Sequence, residues 1–196
     1  ADEVTTKKTK FILFPETAIP TVIWDQEIDF YAELQLLKTW NSKDRAGLIT
    51  GINFGEIIEI NDKNNIPSDV KLNAFTNQYY RRYNSALFID KNEIQEVYHK
   101  SRLVIGVERI PSYFVFLQRY LKNLDDDSNA AEFNPNNGIQ KERTVFKDQS
   151  GNVAIAPIIC YESIFGEYVN DYVLKGANVL GVITNDAWWG DTPGYK

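Results

Sequence analysis

The stretch Val-Ala-Ile-Ala-Pro-Ile-Ile at 153–159 is uniformly apolar, ends on the chain's one cysteine, Cys160, and runs straight into Tyr-Glu-Ser. It is far short of the ~20 residues that span a bilayer, so it reads as a buried strand. Phe-Ile-Leu-Phe at 11–14, closed by Pro15, has the same character, as does the run at 46–54, and 178–184 is one more apolar strand. Strands of this kind need cover from other layers, which points to an α/β fold.

The rest of the chain supplies those layers. Ile28, Tyr31, Ala32, Leu34, Gln35, Leu36 and Leu37 fall among charged residues at roughly helical spacing, which predicts an amphipathic helix over 25–40. Helices are also expected over 112–124 and 164–175. Residues 83–89 and 93–98 flank Asp90-Lys91-Asn92 and predict a hairpin; 143–147 and 153–159 flank Asp148-Gln149-Ser150-Gly151 and predict a second. The polar stretches 61–78 and 125–138 read as loops. Strands outnumber helices and two strand pairs are hairpins, so a mixed sheet is expected rather than a purely parallel one.

Composition excludes several functions. With 21 Lys and Arg against 27 Asp and Glu, the formal charge is -6 over 196 residues, and no basic stripe exists to neutralise nucleic-acid phosphates. One cysteine and one histidine cannot build an internal disulfide or a Cys/His zinc site, so no metal is expected. Neither a phosphate-cradling G-x-x-x-x-G-K-[ST] nor a G-x-S-x-G elbow occurs, and Gly47, Gly51 and Gly55 have the wrong spacing for a dinucleotide fingerprint. No cofactor is expected either.

Thiol chemistry therefore falls on Cys160. A strand-to-helix elbow presents its side chain at a sheet edge, and the helix amino end is expected to place backbone N–H groups near it, lowering the thiol pKa and offering an oxyanion site. The other reading is a buried structural thiol, common for this residue type; the carboxylate of Glu162, two residues on, weighs against an inert core position. The usual base would be histidine, but His99 alone reads equally as a hydrogen-bonded or surface residue. Glu16, delivered by Phe14-Pro15 at the end of a buried strand, is the better-placed base, with a solvated carboxylate as the alternative. Lys100 follows the first hairpin and is a candidate oxyanion-holding cation; composition alone reads it as a solvated lysine beside Arg102.

The order Glu16, Lys100, Cys160, each at a strand end, resembles the Glu-Lys-Cys triad of the nitrilase (carbon–nitrogen hydrolase) superfamily. FPETAIP at 14–20, YNSAL at 83–87, YHKSRLV at 98–104, ICYESIFG at 159–166 and TNDAWWGD at 184–191 agree with it in order. Within the superfamily these blocks are most similar to the apolipoprotein N-acyltransferases. There the lysine segment continues to a second glutamate, here Glu108 in GVERIP, and the nucleophile is followed by Tyr-Glu, here Tyr161 and Glu162.

That resemblance implies a nitrilase-like αββα sandwich with mixed sheets over 1–196. It also implies a chain truncated at both ends, with incomplete sheets and without the family's transmembrane regions. It implies Glu16 as general base, Cys160 as nucleophile, and Lys100 with the Tyr161 N–H as the oxyanion site. Glu108 is expected to orient Lys100, and Glu162 to fix the elbow. The implied reaction moves an acyl chain from phospholipid, through a thioester, to the α-amine of the lipidated N-terminal cysteine of an apolipoprotein. The implied location is the bacterial inner membrane, with this domain facing the periplasm and meeting the membrane surface through the full-length protein. Phe114 and Phe116, in the aromatic segment 110–121, are expected to bind substrate as part of a lid, with Arg109 and Arg119 near lipid phosphates; the competing reading is a core helix. Trp188 and Trp189 are expected to line the acyl pocket, against core packing.

Two other readings share these residues. A soluble nitrilase-type amidase would use the same triad with water as acceptor. A non-enzymatic interaction domain would leave Cys160 no more reactive than an ordinary thiol.

Overall fold

Residues 5–6, 8–41, 46–105, 108–109, 136–148 and 150–185 are described by a computed structural model. Two long strands organise it. β3 (Gly47–Ile58) and β5 (Gln78–Asp90) pair antiparallel from Leu48↔Ile89 to Ile58↔Tyr79. Their period-two side chains then divide between two faces. Ile49, Ala86 and Phe88 point into one core cluster, and Leu48, Ile52, Leu87 and Ile89 into another.

The free edge of β3 carries two short parallel strands in succession. β1 (Phe11–Leu13) pairs through Phe11↔Gly47, and β2 (Ile19–Trp24) pairs further along through Ile23↔Phe54. On the other side, β4 (Val70–Asn73) and β6 (Glu93–His99) pair antiparallel with the two halves of β5. A smaller sheet has β7 (Phe146–Lys147) antiparallel to β8 (Ala154–Ile159), and β8 parallel to β9 (Val179–Ile183).

The two sheets pack through the first cluster, where Phe88 stacks on Phe146 at 5.3 Å and Ile155, Ile159 and Ile183 fill the gap. α1 (Ala32–Asn41) covers the far face of the larger sheet through buried Leu34, and α2 (Gly166–Leu174) lies against β8 with Tyr168 and Tyr172 buried. Helix, sheet, sheet, helix is the nitrilase-like αββα order, with mixed sheets as expected.

Several elements differ from expectation. The helix over 25–40 is a 3₁₀ turn (Asp25–Phe30) followed by α1, because Tyr31 is extended and its hydroxyl accepts the Trp24 N–H at 3.1 Å. β2 lies where no strand was expected; Pro20 is accommodated at a register shift between Ile19 and Val22, a place where proline is tolerated. The loop over 61–78 contains β4, and β5 starts at Gln78 rather than 83. This extension includes polar pairs, such as Arg81 Nε at 2.6 Å from Asp69 Oδ2, which apolar periodicity does not register. The first hairpin turns as expected, with φ of 47° at Lys91 and 67° at Asn92, the left-handed pair of a tight turn. The expected helix over 112–124 and most of the 125–138 loop lie outside the described residues.

Candidate active site

β1, β6 and β8 each deliver one of the three candidate residues at or just beyond its end. Glu16 sits in a turn pinned to β3: Phe14 N–H donates to Ile49 O at 2.8 Å and Gly51 N–H to Pro15 O at 3.2 Å. Gly51 allows this approach, since a Cβ there would lie 2.6 Å from Glu16 Cα. Lys100 follows β6 and prolongs its pairing by donating its N–H to Asn84 O at 2.8 Å. Cys160 follows β8 at a φ of 48°, where the chain turns into a 3₁₀ segment (Cys160–Ile164). That left-handed conformation is costly for a residue with a Cβ and marks a sharp elbow.

The charges meet in a buried cluster. Lys100 is 1% exposed and Glu16 5%; neither is the solvated side chain that composition allowed. Lys100 Nζ donates to Glu16 Oε1 at 3.1 Å and lies 3.0 and 2.9 Å from Glu108 Oε1 and Oε2. Asn84 Nδ2 bridges the same two carboxylates, at 2.6 Å from Glu16 Oε1 and 2.8 Å from Glu108 Oε1. Glu108 Oε2 also accepts the Val104 N–H at 2.8 Å. Burial by itself would lower the lysine pKa, but the charges of Glu108 and then Glu16, with their hydrogen bonds, outweigh it and hold the ammonium above its ordinary value.

The Cys160 thiol adjoins this cluster and is half-exposed. Burial pushes its pKa up, a hydrogen bond from Thr184 pulls it back, the Glu16 charge raises it and the Lys100 charge lowers it; the net direction is upward, opposite to the lowering expected at the elbow, because burial outweighs the donors. The resting group is thus a protonated thiol beside a carboxylate, an arrangement that suits proton removal as the nucleophile attacks.

Glu162, fully buried, ties the lysine arm to the cysteine arm. Its Oε2 accepts the Ile159 N–H at 2.9 Å, just before Cys160. Its Oε1 accepts the Ser101 N–H at 2.7 Å, just after Lys100, with Tyr98 Oη at 2.7 Å and Tyr168 Oη at 2.6 Å. A carboxylate with this many donors is held by hydrogen bonds rather than by a cation. Burial, and next the Glu162 charge, push the pKa values of both tyrosines upward, so they remain donors.

Glu16, Lys100, Cys160, Glu108 and Glu162 therefore come together. Tyr161 sits at the elbow with its ring edge-on to Phe165 at 5.1 Å. Phe114, Phe116, Trp188, Trp189 and Arg119 lie outside the described residues. Arg109 lines a cavity of about 220 Å3 with Asn136 and Asn137. His99 is neither surface-exposed nor part of the cluster: it stacks on Tyr83 at 4.1 Å, its Nδ1 lies 2.7 Å from Ser85 Oγ, and burial lowers its pKa to about 4. Sequence reasoning did not assign Asn84 or Thr184. Asn84 stands in the YNSAL block, where a polar residue within a buried strand was the available signal; Thr184 required the β8–β9 register. No cluster of metal-ligating side chains occurs among the described residues.

The carbon-nitrogen hydrolase family profile matches residues 1–196. An apolipoprotein N-acyltransferase of Chlorobaculum tepidum is 31% identical over 96% of this chain and 34% of its own length. One of Sinorhizobium medicae is 30% identical over 97% and 31%. The chain thus spans about a third of the length of these relatives. Among solved structures, a nitrilase-superfamily amidase of Nesterenkonia aligns with a TM-score of 0.46 at 16% identity, over 89% of this chain and 52% of that one.

Proposed function

The chain belongs to the carbon-nitrogen hydrolase family, and from that premise we propose that it carries the catalytic centre of an apolipoprotein N-acyltransferase. The observation that carries this reading is the buried Glu16–Lys100–Glu108 cluster beside the sole thiol. The choice of acyl transfer over amide hydrolysis leans on the named relatives.

In the first half-reaction Cys160 Sγ attacks the ester carbonyl of a phospholipid while its proton passes to Glu16. Oε1 of Glu16 already accepts from Lys100 and Asn84, which leaves Oε2 for the proton. The developing oxyanion is held by Lys100 and the Tyr161 N–H. As the C–O bond breaks, Glu16 returns the proton to the departing lysophospholipid oxygen and a thioester remains. In the second half-reaction the neutral α-amine of a lipidated N-terminal cysteine attacks the thioester. The C–S bond breaks, an amide forms, and the amine proton travels through Glu16 to the leaving thiolate. Glu108 keeps Lys100 in place and Glu162 holds the elbow. A membrane-borne donor and acceptor place the domain at the periplasmic face of the bacterial inner membrane.

The test is intact-mass analysis of the full-length protein after incubation with phospholipid. The expected result is a gain of one acyl chain, removed by hydroxylamine and absent in Cys160→Ser. Persistent absence of an adduct, with free acid released from small amides, would overturn acyl transfer in favour of an amidase. Absence of both would overturn enzymatic function.

A further inference from the structure

We propose that Thr184 is a further catalytic residue, its hydroxyl donating a hydrogen bond to Cys160 Sγ whenever the sulfur carries negative charge. The inference rests on the reading of Cys160 as nucleophile. Its geometric basis is strand register. β8 and β9 run parallel and in step from Ile155↔Val179 to Ile159↔Ile183, so Cys160 and Thr184 are each the next residue beyond the same rung. Neighbouring strands lie roughly 4.8 Å apart, which brings a threonine Oγ1 within reach of the adjacent thiol. Cys160 itself turns left-handed at a φ of 48°, and a side-chain hydrogen bond from Thr184 lowers the pKa of its thiol.

A neutral hydroxyl cannot take the thiol proton at neutral pH, since its conjugate acid is far more acidic than a thiol and its alkoxide is absent. It can donate to the thiolate, and a hydrogen bond made to the charged form favours that form. Around Cys160 the stabilising influences are the Thr184 hydroxyl and the Lys100 charge, which oppose burial and the Glu16 carboxylate. Lys100 ion-pairs with Glu16 and Glu108 and acts on the sulfur through its charge, whereas Thr184 acts through a side-chain hydrogen bond. The bond counts twice in the cycle. It favours the attacking thiolate as the C–S bond forms, weakens once sulfur is neutral in the thioester, and is regained when the amine expels the thiolate.

The chain's single cysteine makes the test direct, because iodoacetamide alkylation followed by intact mass reports on Cys160 alone. Thr184→Val, which keeps shape and removes the hydroxyl, is expected to shift the alkylation midpoint up by roughly one pH unit and slow alkylation about tenfold below it. Thr184→Ser, which keeps the hydroxyl, is expected to titrate like the unaltered chain. An unchanged midpoint in Thr184→Val, or an equal shift in Thr184→Ser, overturns the inference. Cys160 acylation by a p-nitrophenyl ester is measured in parallel on the unaltered protein. Its absence counts against the nucleophile reading itself, whereas acylation with an unchanged Thr184→Val midpoint removes Thr184 alone.

Discussion

Asn84 donates through Nδ2 to Glu16 Oε1 at 2.6 Å, joining residues 68 apart in the chain. The same nitrogen reaches Glu108 Oε1, so amide and ammonium together span the two carboxylates. Replacing this donor with an acceptor should break the arrangement. Asn84→Asp places a third carboxylate between two others in a buried site, where like charges raise the pKa of the newcomer. An acid with a raised folded-state pKa stays protonated in the folded chain after the unfolded chain has lost its proton, so stability falls as pH rises. Asn84→Asp is therefore expected to cost roughly 3 kcal/mol at pH 7, within the range for an uncompensated buried charge, and distinctly less at pH 5. Urea midpoints of both proteins at the two pH values check this.

Glu16 and Lys100 act on the Cys160 thiol in opposite senses. Glu16→Gln removes a neighbouring negative charge and is expected to lower the pH midpoint for iodoacetamide alkylation; Lys100→Met removes a positive one and is expected to raise it. Both should reduce acyl-adduct formation by about 100-fold or more, through loss of the base in one case and of oxyanion stabilisation in the other. A thiol that becomes easier to ionise yet slower to acylate distinguishes general-base catalysis by Glu16 from simple electrostatic activation. Alkylation and acylation measured on the same preparations supply the comparison.

The grouping of Glu16, Lys100 and Cys160 was legible because strand ends are legible. Pro15 closes one apolar run just before Glu16, though that strand is only partly buried, with Leu13 exposed; Cys160 ends a fully buried one, and Lys100 follows a hairpin whose turn residues announce it. Burial of Lys100 was not legible, since the two carboxylates that make it tolerable lie 84 residues before it and 8 after. β2 and β4 are not legible because one contains a proline and the other is only four residues long within a mostly polar stretch. Asn84 and Thr184 are the clearest cases. Each is an ordinary polar residue by type, and its meaning comes from a strand partner that only the assembled sheets reveal.

His99 gives the fold a pH dependence that is separate from the site. Burial lowers its pKa to about 4, against about 6.5 in an unfolded chain. Below pH 6.5 the unfolded state takes up the proton first. The stability due to keeping this imidazole neutral is thus fully present above pH 6.5 and lost as the pH falls towards 4. Between pH 7 and pH 5 the loss amounts to about 2 kcal/mol. His99→Gln is expected to lower stability at pH 7, because the stack on Tyr83 is lost, but to flatten the pH 7-to-5 difference by that amount. Denaturant titrations of both proteins test the difference rather than the absolute values.

Gly51 connects the scaffold to the chemistry. A Cβ at this position would lie 2.5 Å from Thr17 N, 2.6 Å from Glu16 Cα and 2.6 Å from Pro15 O, all backbone atoms that no side-chain rotation can move. Gly51→Ala must therefore lift the Glu16 turn off β3, and Glu16 leaves Lys100 and Asn84 with it. Overpacking of this kind costs about 1–3 kcal/mol, and a displacement of about 1 Å in a catalytic group can cost about 100-fold in rate. Gly181→Ala is the matched control: its added methyl would first meet Ile155 Cδ1 at 2.6 Å and Leu13 Cδ2 at 2.9 Å, the far ends of side chains that can turn aside. Thermal melts and Cys160 acylation rates should separate the two, with Gly51→Ala losing both stability and acylation and Gly181→Ala losing mainly stability. Equal acylation in the two variants would mean that the turn at Glu16 is not held in its working position by its contact with β3.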